Sequence, residues 1–184
     1  MSLILETKRL ILRSFRDADL EPFLAYRNDP EVSRYQGWET PYLRVDAIEF
    51  VDQMQGANPG TPGEWYQLAV ERKDNGKMIG DMAFYLGKSN PRKADFGYSL
   101  MRSAWGQGYA TEAAMKTLDY LFRVLDVHRV VADCDVDNVA SMRLLERLGF
   151  RREAHLVESF WFVQEARWGS EYQYAVLQRE WLLR

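Results

Sequence analysis

The first pattern along the chain is an alternation of apolar and polar positions through Lys8-Arg9-Leu10-Ile11-Leu12-Arg13, which together with Leu5 predicts a strand over residues 5–12. Asp17 is placed to cap a helix carrying Leu20, Phe23 and Leu24, and Asn28-Asp29-Pro30 should end it. A second helix is predicted from Thr40-Pro41, with proline at its first position and Val45, Ile48, Phe50, Val51 and Met54 as an apolar stripe. The run of glycine, proline and small polar residues over 56–63 can only be a loop, because it breaks either regular structure.

Strands are predicted over 64–72 and 77–86, joined by Asp74-Asn75-Gly76, whose Asn-Gly supplies the positive φ angles of a tight hairpin. A further strand covers 93–101. Helical spacing then links Ala110, Ala113, Ala114, Leu118, Leu121, Phe122 and Leu125. Residues 128–135 read as a strand, 138–148 as a helix closed by a left-handed Gly149, and Phe150 onward as strand again, with a last strand over 171–177. Hairpin-linked strands first and helix-linked strands later predict an α/β (α+β) fold on a mixed sheet.

The length of 184 residues fits one domain spanning 1–184 better than two, since each half would hold too small a core. Apolar residues make up 47% of the chain, enough for a folded core without a partner. A net charge of −3 argues against a nucleic-acid binder. No apolar run approaches the ~20 residues that cross a bilayer, and Met1 to Arg13 lack a signal-peptide core, so a cytoplasmic location away from membranes is expected. Cys134 is the only cysteine and reads as a small buried hydrophobe; with two histidines and no ligand spacing, no metal site is expected.

Between the strand at 93–101 and the helix after it lies Leu100-Met101-Arg102-Ser103-Ala104-Trp105-Gly106-Gln107-Gly108-Tyr109-Ala110-Thr111. A helix start leaves amides unpaired and carries the positive end of the helix dipole, and glycines at 106 and 108 let a bulky diphosphate approach them. On spacing alone, a plain turn into the helix accounts for these glycines as well. Known phosphate loops fit poorly: there is no Gly-Lys-Ser/Thr, and Thr111 stands where a dinucleotide loop would have its third glycine.

This segment resembles the acetyl-CoA loop of the GNAT superfamily, Arg/Gln-x-x-Gly-x-Gly/Ala, with Trp105 in place of the first Arg or Gln. Trp-Gly-Gln-Gly-Tyr-Ala-Thr-Glu-Ala is similar to the RimJ/RimL-type subgroup, named for N-terminal acetylation of ribosomal proteins. Asp137-Asn138-Val139-Ala140-Ser141 through Leu148-Gly149-Phe150 resembles the superfamily's second signature, Asn-x-x-Ser/Ala-x-x-Leu-x-x-x-x-Gly-Phe. Residues 5–13 look like the subgroup's opening strand and Glu171-Tyr172 through Trp181 like its closing strand. The least matched stretches are 36–64 and 154–170, where acceptor specificity is expected.

The resemblance implies a central, mostly antiparallel sheet of six to seven strands with about four helices and a splayed cleft between the fourth and fifth strands. It implies acetyl-CoA as acyl donor, held by Leu100, Met101, Gly106, Gln107, Gly108, Tyr109, Ala110, Thr111, Asn138 and Ser141. The acceptor is then a primary amine, either a protein N-terminal α-amine or a small-molecule amine, attacked directly in a ternary complex. The Met101 amide is expected to stabilise the oxyanion. Many relatives have an acidic tyrosine where this chain has Leu145, so Ser141 becomes the candidate acid. Taken alone, Asn138 is equally a plain helix cap.

Glu64, Asp81, Asp95, Asp133 and Asp135 border the expected cleft, most of them as solvated strand-edge charges, and none is singled out as a base. Trp38, Trp65, Trp161 and Trp168 would line an acceptor pocket, a homodimer face or the core. A non-catalytic acyl-CoA sensor that kept the loop and lost its chemistry is the competing reading.

Overall fold

The computed structural model describes residues 3–162 and 165–184. One sheet runs through it in the order β1 (Ile4–Glu6), β2 (Leu10–Arg13), β3 (Trp65–Arg72), β4 (Met78–Leu86), β5 (Lys93–Leu100), β6 (Arg129–Asp135), β8 (Arg167–Leu177) and β7 (Arg151–Phe162). Every neighbouring pair is antiparallel except β5 and β6. On one face lie α1 (Leu20–Arg27), α2 (Pro30–Ser33) and α3 (Arg44–Gly56); α4 (Tyr109–Arg123) and α5 (Val139–Arg147) pack the other, near the closing helix α6 (Gln178–Leu182).

β4 is buried along nearly its whole length because both its faces are covered. Met82, Phe84 and Leu86 join Leu118 and Leu121 of α4 in the larger core. Met78 joins Phe23 of α1 and Val51 and Met54 of α3 in the smaller one, with Ala69 of β3. Ala113 and Ala114 are fully buried; side chains this small let α4 sit close on the sheet, while Leu118 and Leu121 each contribute about 1.5–3 kcal/mol of apolar burial.

The mixed sheet and four longer helices agree with expectation, but among the described residues the strand count is eight. The opening strand is two: Leu10 N–H donates to Thr7 Oγ1 at 2.8 Å and Thr7 N–H to the Leu10 carbonyl at 3.0 Å, closing a turn at Lys8-Arg9. Asn28-Asp29-Pro30 ends α1 and also starts α2, since Asp29 accepts from Glu31 N–H. The helix expected from Thr40-Pro41 begins later, at Arg44. Asn28 is the cause: its side chain donates to the Tyr42 carbonyl and accepts the Tyr42 N–H, holding that residue outside a helix. The closing strand stops at Leu177, and Trp181 lies on α6.

The pairing of β5 with β6 is short. It joins Lys93 to Arg129, Ala94 to Val130 and Asp95 to Val131, and goes no further. β5 stays paired with β4 as far as Leu100, and β6 stays paired with β8 as far as Asp135. Each strand follows its other partner, so the two diverge as twisted strands must when nothing couples them. The resulting gap is the expected cleft, between the fifth and sixth strands because the first was divided.

Candidate active site

The glycine segment crosses the end of β5 and leads into α4. Arg102–Ala104 forms a single 3-10 turn, the Trp105 indole N–H donates to the Leu100 carbonyl at 2.8 Å, and Gln107 Nε2 donates to the Ser103 carbonyl at 2.7 Å. Trp105 therefore ties the loop to the strand, and the side chain of Gln107 serves the loop itself. Gly106 and Gly108 have φ of +72° and +79°, the left-handed region that favours glycine. Gly108 is the N-cap and has no side chain with which to cap, and the first helical bond is Glu112 N–H to its carbonyl. Tyr109, Ala110 and Thr111 thus present amides without intrahelical acceptors, at the positive end of the helix.

Besides Arg72, which lies 5.4 Å over the Tyr109 ring, two guanidinium groups flank this start. Arg9 lies 4.4 Å over the Tyr109 ring and donates to the Gln107 carbonyl at 2.9 Å. Glu112 holds it, accepting from Arg9 Nε at 2.6 Å, from Arg9 N–H at 2.8 Å and from Thr7 Oγ1 at 2.6 Å. Burial alone would raise the Glu112 pKa, but these donors outweigh it and hold the group below its ordinary value. Arg147, at the end of α5, donates to Thr111 Oγ1 at 3.3 Å. Neither arginine stands out in the sequence, because Arg9 is about a hundred residues from the loop.

At the start of α5, Asn138 Oδ1 accepts the Ser141 N–H at 3.1 Å, the capping role that its position alone suggests. Ser141 Oγ lies 2.7 Å from the hydroxyl of Tyr98 on β5, which joins the two walls of the gap. The nearby Cys134 thiol is buried, and burial pushes its pKa up to about 12 against the opposing effect of Ser141. Burial likewise raises the Tyr98 hydroxyl above its ordinary value. Leu145 is in the core, and Gly149 at φ +79° closes the helix with Phe150 N–H on the Leu145 carbonyl at 3.0 Å. Sequence reasoning missed Tyr98; its signal was the alternation Phe96, Tyr98, Leu100, which puts it on the α4 and α5 side.

The backbone of β5 alternates between its two neighbours. Met101 N–H donates to the Ile79 carbonyl at 2.9 Å, so it points to β4 and away from the gap, and the expected oxyanion role is not open to it. By the antiparallel pattern Asp95, Gly97 and Ser99 also bond to β4, leaving the amides of Tyr98 and Leu100 directed at the gap.

The expected carboxylates divide. Glu64 is exposed just before β3. Asp81 is 2% exposed, takes a short hydrogen bond from Tyr26 and sits beside Arg27, which lies 3.8 Å over the Trp38 ring; burial raises its pKa. It is a buried strut beneath α1 and not one of the solvated strand-edge charges. Asp95, Asp133 and Asp135 share the face opposite Tyr98, and Glu171 joins them because β8 pairs it with Asp135. Asp135, too, is buried.

The same face is bounded by the β7–β8 hairpin, which carries the exposed pair Trp161 and Trp168 with ring centroids 5.6 Å apart. Phe160 lies against Gly37, and Arg34 is 3.6 Å from Glu165. Trp65 packs on Tyr85. Residues 163 and 164 of the poorly matched stretch 154–170 lie outside the described residues.

Unpaired amides at a helix start, beside a gap onto which further strand amides face, on this sheet order, are the arrangement of an acyltransferase fold. The model of the acetyltransferase (GNAT) domain matches residues 9–151, and the chain belongs to that family, whose members use acetyl-CoA. The uncharacterized N-acetyltransferase YoaA of Bacillus subtilis (strain 168) is 35% identical over 153 residues, covering 83% of this chain and 85% of that protein. A GNAT-family acetyltransferase from Bacillus anthracis superposes with a TM-score of 0.82 at 27% identity, over 97% of this chain and all of that one. The spermidine N-acetyltransferase of Vibrio cholerae, solved in complex with CoA and spermine, shares the fold with a TM-score of 0.81 at 24% identity, over 96% of this chain and 99% of that one.

Proposed function

We propose that the whole chain is one N-acetyltransferase domain of the RimJ/RimL type, acting on a primary amine, either a small molecule or a protein N-terminus. The observation carrying this reading is the row of free amides at 109–111 opening onto the gap between β5 and β6. The donor's pyrophosphate sits on those amides beside Arg9 and Arg147, and its pantetheine arm extends along β5, pairing with the backbone of Leu100. Asn138 faces that arm, and Ser141 meets its sulfur.

The neutral amine attacks the thioester carbonyl from the face that carries Asp95 and Asp133. Both substrates are bound at once, and attack is direct. A nitrogen–carbon bond forms, the carbonyl oxygen takes negative charge, and the Tyr98 amide stabilises it in place of Met101. The carbon–sulfur bond then breaks. The departing thiolate takes a proton from the Ser141 hydroxyl, Ser141 takes one from the Tyr98 hydroxyl, and the amine's surplus proton, carried through water, restores Tyr98, so both hydroxyls end as they began. Much of the acceleration comes from holding donor and acceptor together.

Calorimetry with acetyl-CoA, followed by thiol release over a panel of amines, tests this. Saturable binding with thiol release is the expected result. Binding without release from any amine would instead favour the acyl-CoA sensor, and absence of binding would end both readings. The setting we propose is cytoplasmic; among the described residues no helix is long and apolar enough to cross a membrane.

A further inference from the structure

We infer that Arg9 is a positioning residue for the donor: it fixes the peptide between Gln107 and Gly108, so that the Gly108 N–H joins those of Tyr109, Ala110 and Thr111 in receiving the diphosphate. This deepens the reading above and rests on it. The turn that carries Arg9 lies 98 residues before Gln107 in sequence, yet it meets three consecutive residues of the loop. Arg9 Nη1 donates to the Gln107 carbonyl at 2.9 Å, and Nη2 lies 3.4 Å from where a Cβ on Gly108 would stand. The same guanidinium lies 4.4 Å over the ring of the buried Tyr109.

A trans peptide points its carbonyl and its N–H in opposite directions, so holding the Gln107 carbonyl on Arg9 turns the Gly108 N–H away from the guanidinium. Among the described residues that N–H has no acceptor. Gly108 is left-handed, at φ +79° and ψ 2°, and Tyr109 after it begins α4. Left- and right-handed residues in succession bring consecutive N–H groups, here those of 108, 109 and 110, into one concave nest that fits an anion. Rotation of the 107–108 peptide would take the first of them out of the nest. Gly108 has no side chain to prevent that rotation, and Gln107 uses its own on the Ser103 carbonyl. Arg9 is the outside group that prevents it.

Arg9 is in turn held rigidly enough to do this. Glu112 accepts from its Nε at 2.6 Å and from its N–H at 2.8 Å, and the Arg9 carbonyl accepts the Lys73 N–H at 2.9 Å, which ties the turn to the end of β3. The Glu112 carboxylate at 2.6 Å also neutralises the guanidinium. The pair therefore brings little net charge to a phosphate, and what it contributes is the direction of an amide.

Calorimetry of acetyl-CoA with wild type, Arg9→Lys and Arg9→Met, at low and at high salt, tests this. Lysine keeps the charge but has no fork to span Glu112 and the Gln107 carbonyl. Both variants should therefore raise the Kd by about tenfold, the scale of one hydrogen bond to a charged group, and by the same factor at either salt. Wild-type affinity in Arg9→Lys, or a loss that salt abolishes, overturns the proposal and leaves Arg9 acting by charge alone. In protein carrying isotope-labelled glycine, CoA should shift the Gly108 amide resonance of wild type, and less so that of Arg9→Lys. A Gly108 amide that CoA leaves unmoved also overturns the proposal. Should the Arg9 variants fail to fold, Glu112→Gln releases the guanidinium by a smaller change, and a wild-type Kd there is equally fatal. Wild type that binds no acetyl-CoA sinks the acetyl-transfer reading, whereas equal binding by wild type and every variant sinks this inference alone.

Discussion

Replacing Gly108 with alanine isolates the backbone conformation of the donor loop. Gly108 has φ +79° and ψ 2°, and a Cβ there would meet only Arg9 Nη2, at 3.4 Å, an ordinary contact. The cost is therefore the left-handed backbone itself, roughly 1–2 kcal/mol for a residue with a Cβ. Two outlets exist for it. A loop that keeps its shape lowers the stability of the protein by that amount; a loop that relaxes loses the aim of the 109–111 amides and must recover it on binding.

Gly106 and Gly108 are both exposed, so the relaxed loop is the easier outlet. We expect the unliganded protein to unfold almost as wild type does while the acetyl-CoA Kd rises about 5- to 30-fold, the equivalent of 1–2 kcal/mol. Calorimetry gives the affinity and urea denaturation the stability. Gly76→Ala is the control: it has φ +67°, nothing near its Cβ, and lies in the β3–β4 turn. It should lower stability by a similar amount and leave the Kd alone. A wild-type Kd in Gly108→Ala, or equal weakening in Gly76→Ala, would refute the placement of phosphate on these amides.

Glu112→Gln should cost about 2 kcal/mol at pH 7, the scale of hydrogen bonds to a charged group. Because the folded pKa is held below the ordinary 4.5, the wild-type advantage is present above that value and should vanish as pH falls through the folded pKa; a deficit persisting at pH 2 in denaturation curves would contradict the charge as its source. Ser141→Ala should lower kcat by about 100-fold, within the range for a general acid, and Tyr98→Phe by less, about tenfold. Thiol release at saturating acetyl-CoA measures both, and full kcat in Ser141→Ala would remove serine from the proton path.

What could be read from the sequence was what local chemistry controls. Ala113, Ala114, Leu118 and Leu121 mark α4 by spacing, Gly149 marks the end of α5 by its need for positive φ, and the glycines at 106 and 108 mark a loop that the structure places at a helix start. Long-range partners decided the rest. The 42-to-28 pairing delays α3, the Thr7–Leu10 turn divides the first strand, and β8 inserts between β6 and β7. The contact of Tyr98 with Ser141 spans 43 residues, and the direction of the Met101 amide depends on the parity of the β4–β5 register. Asp81 could not be told from a surface charge until Tyr26 and Arg27 were seen beside it.

The sheet order also sets a sequence of assembly during synthesis. β1 through β5 are neighbours in chain order, so each strand can zip onto the one before it as it leaves the ribosome. β6 breaks this progression: it finds only a short parallel edge on β5 and completes its ladder with β8, whose pairing residues, Glu171 to Leu177, are made only after α5 and β7. The gap between β5 and β6 thus acquires its second wall last. A ribosome that stops short of β8 leaves the donor loop already made and the cleft still without a fixed shape.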